Sequence, residues 1–253
     1  MIQLKLVPLP KQLTEKRREE LTNKFKANSK ENVWNKTYIK EALLKMSFSK
    51  CCYSECKLDE KSNYMEVEHF HAKSQYPDKV LEWENLLPSS KRCNGVKDAW
   101  DVVAKPMIHP ILDNPKEHLY LKNYRFYGRT QKGKNTIEAV DLNDRKHWGN
   151  PRFEMCSKIY EKLEEIEEQL SDLQTDKTQR RLIKTLKNLL REGTKQYEFS
   201  AVAATVILHD DNYILTKKAF QENGIWDEEF VILESEVEYC ALDIEDKNVD
   251  KSK

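Results

Sequence analysis

The chain has 253 residues, enough to bury a core of its own without disulfide bonds. Its 43 basic side chains are balanced by 43 acidic ones, so a basic surface for nucleic acid must be local or shared with a partner. No apolar run reaches the roughly 20 residues that span a bilayer, and the apolar stretch in MIQLKLVPLPK is too short for a secretory signal. We therefore expect a soluble cytoplasmic protein that does not enter a membrane.

The first segment, residues 1–47, is predicted to contain two helices, at 11–29 and 34–47. In the second of these, Trp34, Tyr38, Leu43 and other apolar residues recur at helical spacing. Neither helix carries residues that suggest chemistry.

The segment 48–100 has a different texture, with short extended pieces, a polar loop and one short helix. Histidines, paired asparagines and four of the six cysteines concentrate here. In a reducing compartment, clustered cysteines indicate a metal before a disulfide. We expect this segment to carry the chemistry.

The remaining chain divides into three parts. Residues 101–150 suggest short strands and turns packed on the preceding segment, and their basic aromatic run LYLKNYRFYGRTQKGK fits either a nucleic-acid surface or half-buried strands. Residues 151–240 are predicted to be helical, with a pair of amphipathic helices within 153–190 and a buried helix at 197–208. Residues 241–253 have the composition of a flexible tail.

The sequence EVEHFHAK places a carboxylate and an imidazole side by side at Glu68 and His69. Hydrolysis of a phosphodiester needs a base that deprotonates water and a cation that neutralises phosphate charge. Imidazole is a suitable base near pH 7, and a carboxylate suits a hard cation such as Mg²⁺ or Mn²⁺. Because neighbouring side chains of a strand point to opposite faces, the two need a local twist or a strand end to converge.

Two asparagines follow, Asn85 in WENLLPSS and Asn94 in SSKRCNGVK. Ser89 or Ser90 is expected to cap a short helix that places Asn94 and Lys97 on one face. An amide oxygen can complete a metal's coordination, and the lysine can meet a phosphate.

Through KCCYSEC, VEHFHAK, WENLL and RCNGVK, this segment resembles the HNH nucleases of the ββα-metal class. The resemblance implies that His69 is the general base, that Glu68 and Asn94 hold a single divalent metal, and that Asn85 orients the histidine through its loop. The last residue of the His-Asn-His motif is an asparagine here, Asn94, instead of histidine, a substitution that this superfamily contains.

The flanks resemble the HNH subunits of Septu-type anti-phage systems, the PtuB-like group, including those attached to retrons. This support comes from Trp34 before the cysteines, VEHFHAKSQYP, DNPKEHL, TIEAVDLND and the helical tail. Members of the group work with an SMC-like, PtuA-like ATPase, so the resemblance implies such a partner.

Three residues are candidate contacts to substrate phosphates: Lys97, Arg92 and His71. His71 lies two positions past His69 and faces the same side of an extended segment. Packing or solvent exposure explains His71 equally well, and a solvated helix end explains Arg92.

Many HNH modules carry a structural zinc between two CxxC pairs, but both pairs are broken here. Ser54 stands where the partner of Cys51 is expected, and Ser90 where that of Cys93 is expected. A serine hydroxyl is a poor zinc ligand, so we expect hydrogen bonds and packing to replace the metal. The alternative is a rearranged zinc site in which Cys56 joins Cys51 or Cys52 and Cys93.

The predicted fold is α+β, a small ββα-metal HNH module embedded in a mostly helical protein. The predicted function is metal-dependent hydrolysis of DNA, or of cellular RNA such as tRNA. Two alternatives stay open: a degenerate module that only binds nucleic acid or a partner, and a zinc-binding adaptor.

Overall fold

A computed structural model describes residues 1–58, 64–173 and 175–244. They form two compact units, the first made of Met1–His118 with Gly128–Leu142, and the second of Leu119–Tyr127 with the residues from Asn143 onward. Most of the predicted flexible tail, residues 245–253, lies outside the described residues.

The first unit is built around a two-stranded hairpin. Strand β1 pairs antiparallel with strand β2, with Glu66 opposite Ser89 and Glu68 opposite Leu87. Helix α3 follows β2 directly and packs against both strands, and helix α2 packs against β2. The bounds of the elements in this unit are α1 Glu15–Ala27, α2 Thr37–Met46, β1 Met65–His69, β2 Leu86–Ser90, α3 Lys91–Lys97 and α4 Gln131–Ala139.

Local signals explain why α3 begins where it does. The Ser90 hydroxyl accepts a hydrogen bond from the backbone N–H of Cys93, at 3.2 Å, which satisfies one of the unpaired donors of the first turn. The predicted serine cap is therefore confirmed, with Ser90 in that role. Because α3 runs alongside β1, its successive turns meet alternate residues of the strand.

Helix α4 is a correction to the expectation of strands and turns in this part of the chain. Thr130 caps it by accepting from the N–H of Gly133, and the Thr136 hydroxyl bonds back to the Lys132 carbonyl. At Gly133 a Cβ atom would collide with the His118 carbonyl. The threonine cap and the close packing at Gly133 thus stabilise a helix here, although threonine and isoleucine favour β-strands.

The second unit is mostly helical. The predicted amphipathic pair is confirmed by α5 and α6, which pack against each other, and the buried helix by α7. The basic aromatic run forms a hairpin of β3 and β4, in which Tyr120 and Tyr127 stack. The bounds are β3 Leu119–Lys122, β4 Arg125–Gly128, α5 Asn150–Glu167, α6 Asp176–Glu192, α7 Ser200–Leu208, α8 Asp211–Glu222 and α9 Glu228–Cys240.

The start of the last segment is held in the second unit. The Leu121 N–H donates to the Asp243 carbonyl, and the Leu242 N–H donates to the Thr205 hydroxyl. The described residues form mostly helices and two small sheets, which is compatible with the predicted α+β class. No helix of the described residues is long and apolar enough to cross a membrane.

Candidate active site

His69 ends β1 and is almost completely buried, with 4% of its surface exposed. Its Nε2 lies 3.1 Å from the carbonyl oxygen of Val80. Since a carbonyl oxygen only accepts, Nε2 carries the proton of the neutral ring, and Nδ1 is left with the lone pair. The fold therefore fixes both the tautomer and the atom that can accept a proton.

The surroundings keep this imidazole neutral. Burial, the Lys73 ammonium and, more weakly, Lys97 lower the pKa of His69 to about 3, although its hydrogen bond to Val80 opposes them. Trp34 meets the ring edge to face, with the two ring centroids 4.8 Å apart. His69 is thus a neutral acceptor throughout the physiological range.

Asn85 ties together the loop that follows β1. Its side-chain oxygen accepts from the backbone N–H of His71 at 2.7 Å, and its amide nitrogen donates to the carbonyls of Lys79 at 2.8 Å and His71 at 3.3 Å. Its own carbonyl accepts from the N–H of Phe70. These bonds brace the segment that carries the Val80 carbonyl, which is the group that orients His69.

Glu68 is buried beside Lys97. The Lys97 Nζ lies 2.5 Å from Glu68 Oε1, and neither side chain exposes more than 2% of its surface. The same Nζ donates to the His69 carbonyl at 3.0 Å. Burial raises the pKa of Glu68, and the charge of Lys97 opposes that rise.

Asn94 contacts a residue that sequence reasoning did not single out. Its amide nitrogen donates to Glu66 Oε2 at 2.6 Å. Glu66 and Glu68 alternate along β1 and therefore share the face against which α3 packs. In the sequence EVEH, Glu66 precedes Glu68 by two positions, which places both on one face of a strand. This spacing could have identified Glu66 from the sequence.

The three candidate phosphate contacts have different placements. Lys97 is enclosed in the ion pair with Glu68. Arg92 is partly exposed and pairs with Asp141 at 3.0 Å. His71 is half-buried, with its Nδ1 3.3 Å from the Asn85 oxygen.

A cavity of about 480 Å³ opens against β1. Glu66 and Asn94 line one part of it, and Trp34, whose ring covers His69, lines another. Its full lining is Asn32, Trp34, Asn35, Lys40, Tyr64, Met65, Glu66, Val67, Lys73, Lys91 and Asn94.

The four clustered cysteines are all buried and reduced. Burial raises the pKa of the Cys51 thiol, but hydrogen bonds from the neighbouring cysteines and Ser54 lower it by more, to well below its ordinary value. Ser54 also donates to the Cys56 sulfur at 3.3 Å. The sulfurs are thus hydrogen-bonded to one another and to serine, and whether this cluster takes zinc stays a prediction.

The donor set suits a hard divalent ion. Glu66, Glu68 and Asn94 offer carboxylate and amide oxygens on the face of β1 against which α3 packs, where Lys97 pairs with one oxygen of Glu68. Within the described ranges, no three or more His, Cys, Asp or Glu side chains are grouped to hold a metal ion. Mg²⁺ needs no such cage, since it commonly takes one or two carboxylates and completes its shell with water and substrate phosphate.

No family model matches the chain. A search of curated proteins found the Septu protein PtuB of Bacillus thuringiensis, which is 38% identical over 247 residues. The match covers 96% of this chain and 95% of the relative. At that identity and coverage, the chain belongs to the family of the Septu protein PtuB.

Proposed function

We propose that this protein is a metal-dependent endonuclease of the HNH type that hydrolyses phosphodiester bonds of nucleic acid. The observation that carries the proposal is the setting of His69. Its tautomer is fixed by the Val80 carbonyl, and a buried carboxylate precedes it on the strand. A hairpin followed by a helix on the same strands, as in β1, β2 and α3, fits the ββα arrangement that the sequence resembles.

Each residue has a distinct role in the proposed reaction. His69 accepts the proton of the attacking water at Nδ1, the ring atom that its hydrogen bond leaves unprotonated. Asn85 holds the loop that keeps the ring in that orientation. Glu68 and Asn94 would hold Mg²⁺ or Mn²⁺, which when bound supplies positive charge to the phosphate and the leaving oxygen.

Lys97 stabilises the carboxylate rather than touching the substrate. Its ammonium is buried against Glu68 and donates to the His69 carbonyl, so it holds the Glu68 side chain in place and opposes the rise in its pKa that burial causes. This role replaces the phosphate contact for which the sequence nominates Lys97.

The same ion pair favours the second candidate function, a module that binds nucleic acid or a partner without cleaving. Because the Lys97 ammonium pairs with Glu68 Oε1, it competes with a metal ion for this carboxylate. The two functions differ in one measurable property, which is cleavage that depends on a divalent cation.

Metal dependence is tested by incubating the full chain with DNA and with total RNA in Mg²⁺, and in chelator. We expect cleavage only with the metal, and weaker cleavage by Glu68→Ala and Asn94→Ala. High Mg²⁺ should rescue Asn94→Ala better than Glu68→Ala, because losing a neutral oxygen removes less attraction than losing a charge. Cleavage that persists in chelator contradicts the proposal, and a wild type that binds but does not cleave supports the second candidate.

We further propose that the protein acts in a Septu anti-phage system with an ATPase subunit. Its family supports the Septu system, and its neutral overall charge favours sharing a nucleic-acid surface with a partner. The sequence directs attention to the helices before residue 48 and within 153–192 as docking surfaces. Large aliphatic side chains that remain about half exposed are instead found on α8 and α9: Ile214, Leu215, Val231 and Ile232.

Co-purification with the proposed ATPase subunit distinguishes docking on α8 and α9 from docking on the first helices. Ile214→Lys with Ile232→Lys should release the partner if α8 and α9 dock it, whereas truncation of the first helices should release it if they do. Exposed Leu112 in the first unit offers the control variant Leu112→Lys, which should retain the partner. Retention in all variants contradicts both docking surfaces.

A further inference from the structure

The cavity beside β1 contains three lysines that sequence reasoning did not nominate, Lys40, Lys73 and Lys91. None of the three forms an ion pair with a carboxylate of the described residues. By contrast, Lys97 and Arg92, which the sequence did nominate, are both paired. In a chain whose charges balance overall, three lysines without acidic partners around one cavity form a local basic surface.

The position of this surface relates it to the candidate site. Lys73 lies over the Trp34 ring, with its Nζ 5.0 Å from the ring centroid. The same Trp34 ring packs edge to face against the His69 imidazole. The charge of Lys73 also reaches His69 and Glu68, since it lowers the pKa of both. Trp34 thus contacts both Lys73 and the imidazole proposed to act as the base.

The rest of the lining suits a polar, extended ligand. Asn32 and Asn35 offer hydrogen bonds, and Tyr64 exposes 66% of its surface at the cavity. An exposed aromatic ring can stack on an unpaired base. A compact apolar ligand would find few partners in this lining.

We infer that this cavity is the groove for the nucleic-acid strand, with Lys40, Lys73 and Lys91 contacting its phosphates. The inference rests on the proposed function and adds to it the residues that hold the substrate. Glu66 lies in the same lining and repels phosphate when no cation neutralises it. Binding without metal should therefore be weakened by Glu66 and strengthened by the three lysines.

The test measures binding in chelator, so that it does not depend on cleavage. The anisotropy of a labelled single-stranded oligonucleotide is followed with the full chain over a range of salt concentrations, with DNA and RNA as separate arms. Each phosphate contact contributes about 0.7 to the slope of log affinity against log salt for single strands. Lys73→Gln and Lys91→Gln should each lower the slope by about that amount, with a smaller or equal loss for Lys40→Gln.

Two variants separate charge from folding. Lys73→Arg keeps the charge and should restore most of the slope. Lys45→Gln removes an exposed lysine from α2, the helix that also carries Lys40, and should leave the slope unchanged. Glu66→Gln should raise affinity in chelator, opposite in sign to the lysine changes.

The outcomes distinguish this inference from the proposed function. A lysine-dependent slope in a wild type that never cleaves supports the groove and contradicts the nuclease. Metal-dependent cleavage with a slope indifferent to Lys73 and Lys91 contradicts the groove alone. Equal losses in Lys45→Gln, or no binding by the wild type at low salt, also overturn the inference.

Discussion

The hairpin region of β1, β2 and α3 and the helical region of α5 to α9 bury different kinds of side chain. In the hairpin region, Glu68, His69 and Lys97 are each at most 4% exposed. Helix α7 is buried along eight of its nine residues, and most of those are alanine, valine and isoleucine. One region encloses charge and hydrogen-bonding groups, and the other encloses mainly apolar surface.

The hairpin region is therefore where burial contributes least to the free energy of unfolding. Apolar burial stabilises a fold, whereas a buried charge costs free energy unless a partner compensates it. A buried ion pair is often no better for stability than apolar residues of the same size. Stability alone therefore does not account for Glu68 and Lys97, whereas the metal site that we propose requires a positioned carboxylate.

The second unit also encloses charge, most completely at Arg152, which is fully buried. Its guanidinium lies over the ring of Phe126 at 4.5 Å and that of Phe199 at 5.4 Å. Contacts with aromatic faces stabilise a buried cation. The faces of Phe126 and Phe199 thus contribute to holding this charge in the second unit, as the Glu68 carboxylate does for Lys97 in the hairpin region.

The largest expected stability effect comes from removing Lys97. Lys97→Met removes the cationic partner of the buried Glu68 carboxyl, which should lower the free energy of unfolding by about 3–5 kcal/mol. Lys187→Met in the second unit should cost only about 1 kcal/mol, because its partners Asp227 and Glu229 are about half exposed. Urea denaturation measures both.

A double variant shows how much of the lost stability comes from leaving Glu68 without a partner. Adding Glu68→Gln to Lys97→Met removes the orphaned charge and should recover part of the lost stability. Equal losses in Lys97→Met and Lys187→Met would contradict the claimed difference between the regions.

Two asparagines provide a comparison of similar bonds in the two regions. Asn85 braces the His69 loop, and Asn143 makes two hydrogen bonds to the backbone of Phe126, at 2.8 and 2.9 Å. Replacing either with alanine leaves backbone groups without a partner and should cost about 1–3 kcal/mol. Only Asn85→Ala should also slow cleavage well below the rate expected from its folded fraction; equal slowing in Asn143→Ala would argue against a positioning role.

The smallest expected effect is a pH dependence of stability. His69 has a native pKa of about 3, below the ordinary value of 6.5, so the unfolded chain takes up a proton first as the pH falls. Its stabilising contribution is complete above pH 6.5 and is lost progressively toward pH 3. Between pH 7.5 and 5.5 the wild type should lose about 1 kcal/mol more than His69→Gln.

Denaturation curves at the two pH values give this difference directly. His109→Gln serves as a comparison, because burial lowers the pKa of His109 to about 4 and predicts the same sign. Identical losses in the wild type and His69→Gln would mean that the histidine is not buried as a neutral ring.

Sequence reasoning predicted periodic and capped elements well. The helical spacing of apolar residues within 153–190 predicted α5 and α6, and the serine before the RCNGVK segment predicted the start of α3. It missed α4, whose helix depends on a threonine cap and on the close approach of Gly133 to His118, a contact that only the fold creates.

Within the site, the motif identified which residues to consider but not how they pair. Asn94 contacts Glu66, and Lys97 contacts Glu68. Both contacts arise because α3 runs beside β1, so that about one helical turn spans two residues of the strand. Lys73 was not predictable as a cavity residue, because its place depends on Trp34, nearly forty positions earlier in the chain.

Cleavage by His69→Ala tests directly whether His69 is the base of a phosphodiesterase. The full-length variant is compared with the wild type on DNA and on total RNA in Mg²⁺, with circular dichroism to establish folding and the oligonucleotide assay to establish binding. Loss of a general base predicts a rate about 10² to 10⁴ times lower, with fold and binding retained. A folded, nucleic-acid-binding His69→Ala protein that cleaves at the wild-type rate would contradict the account.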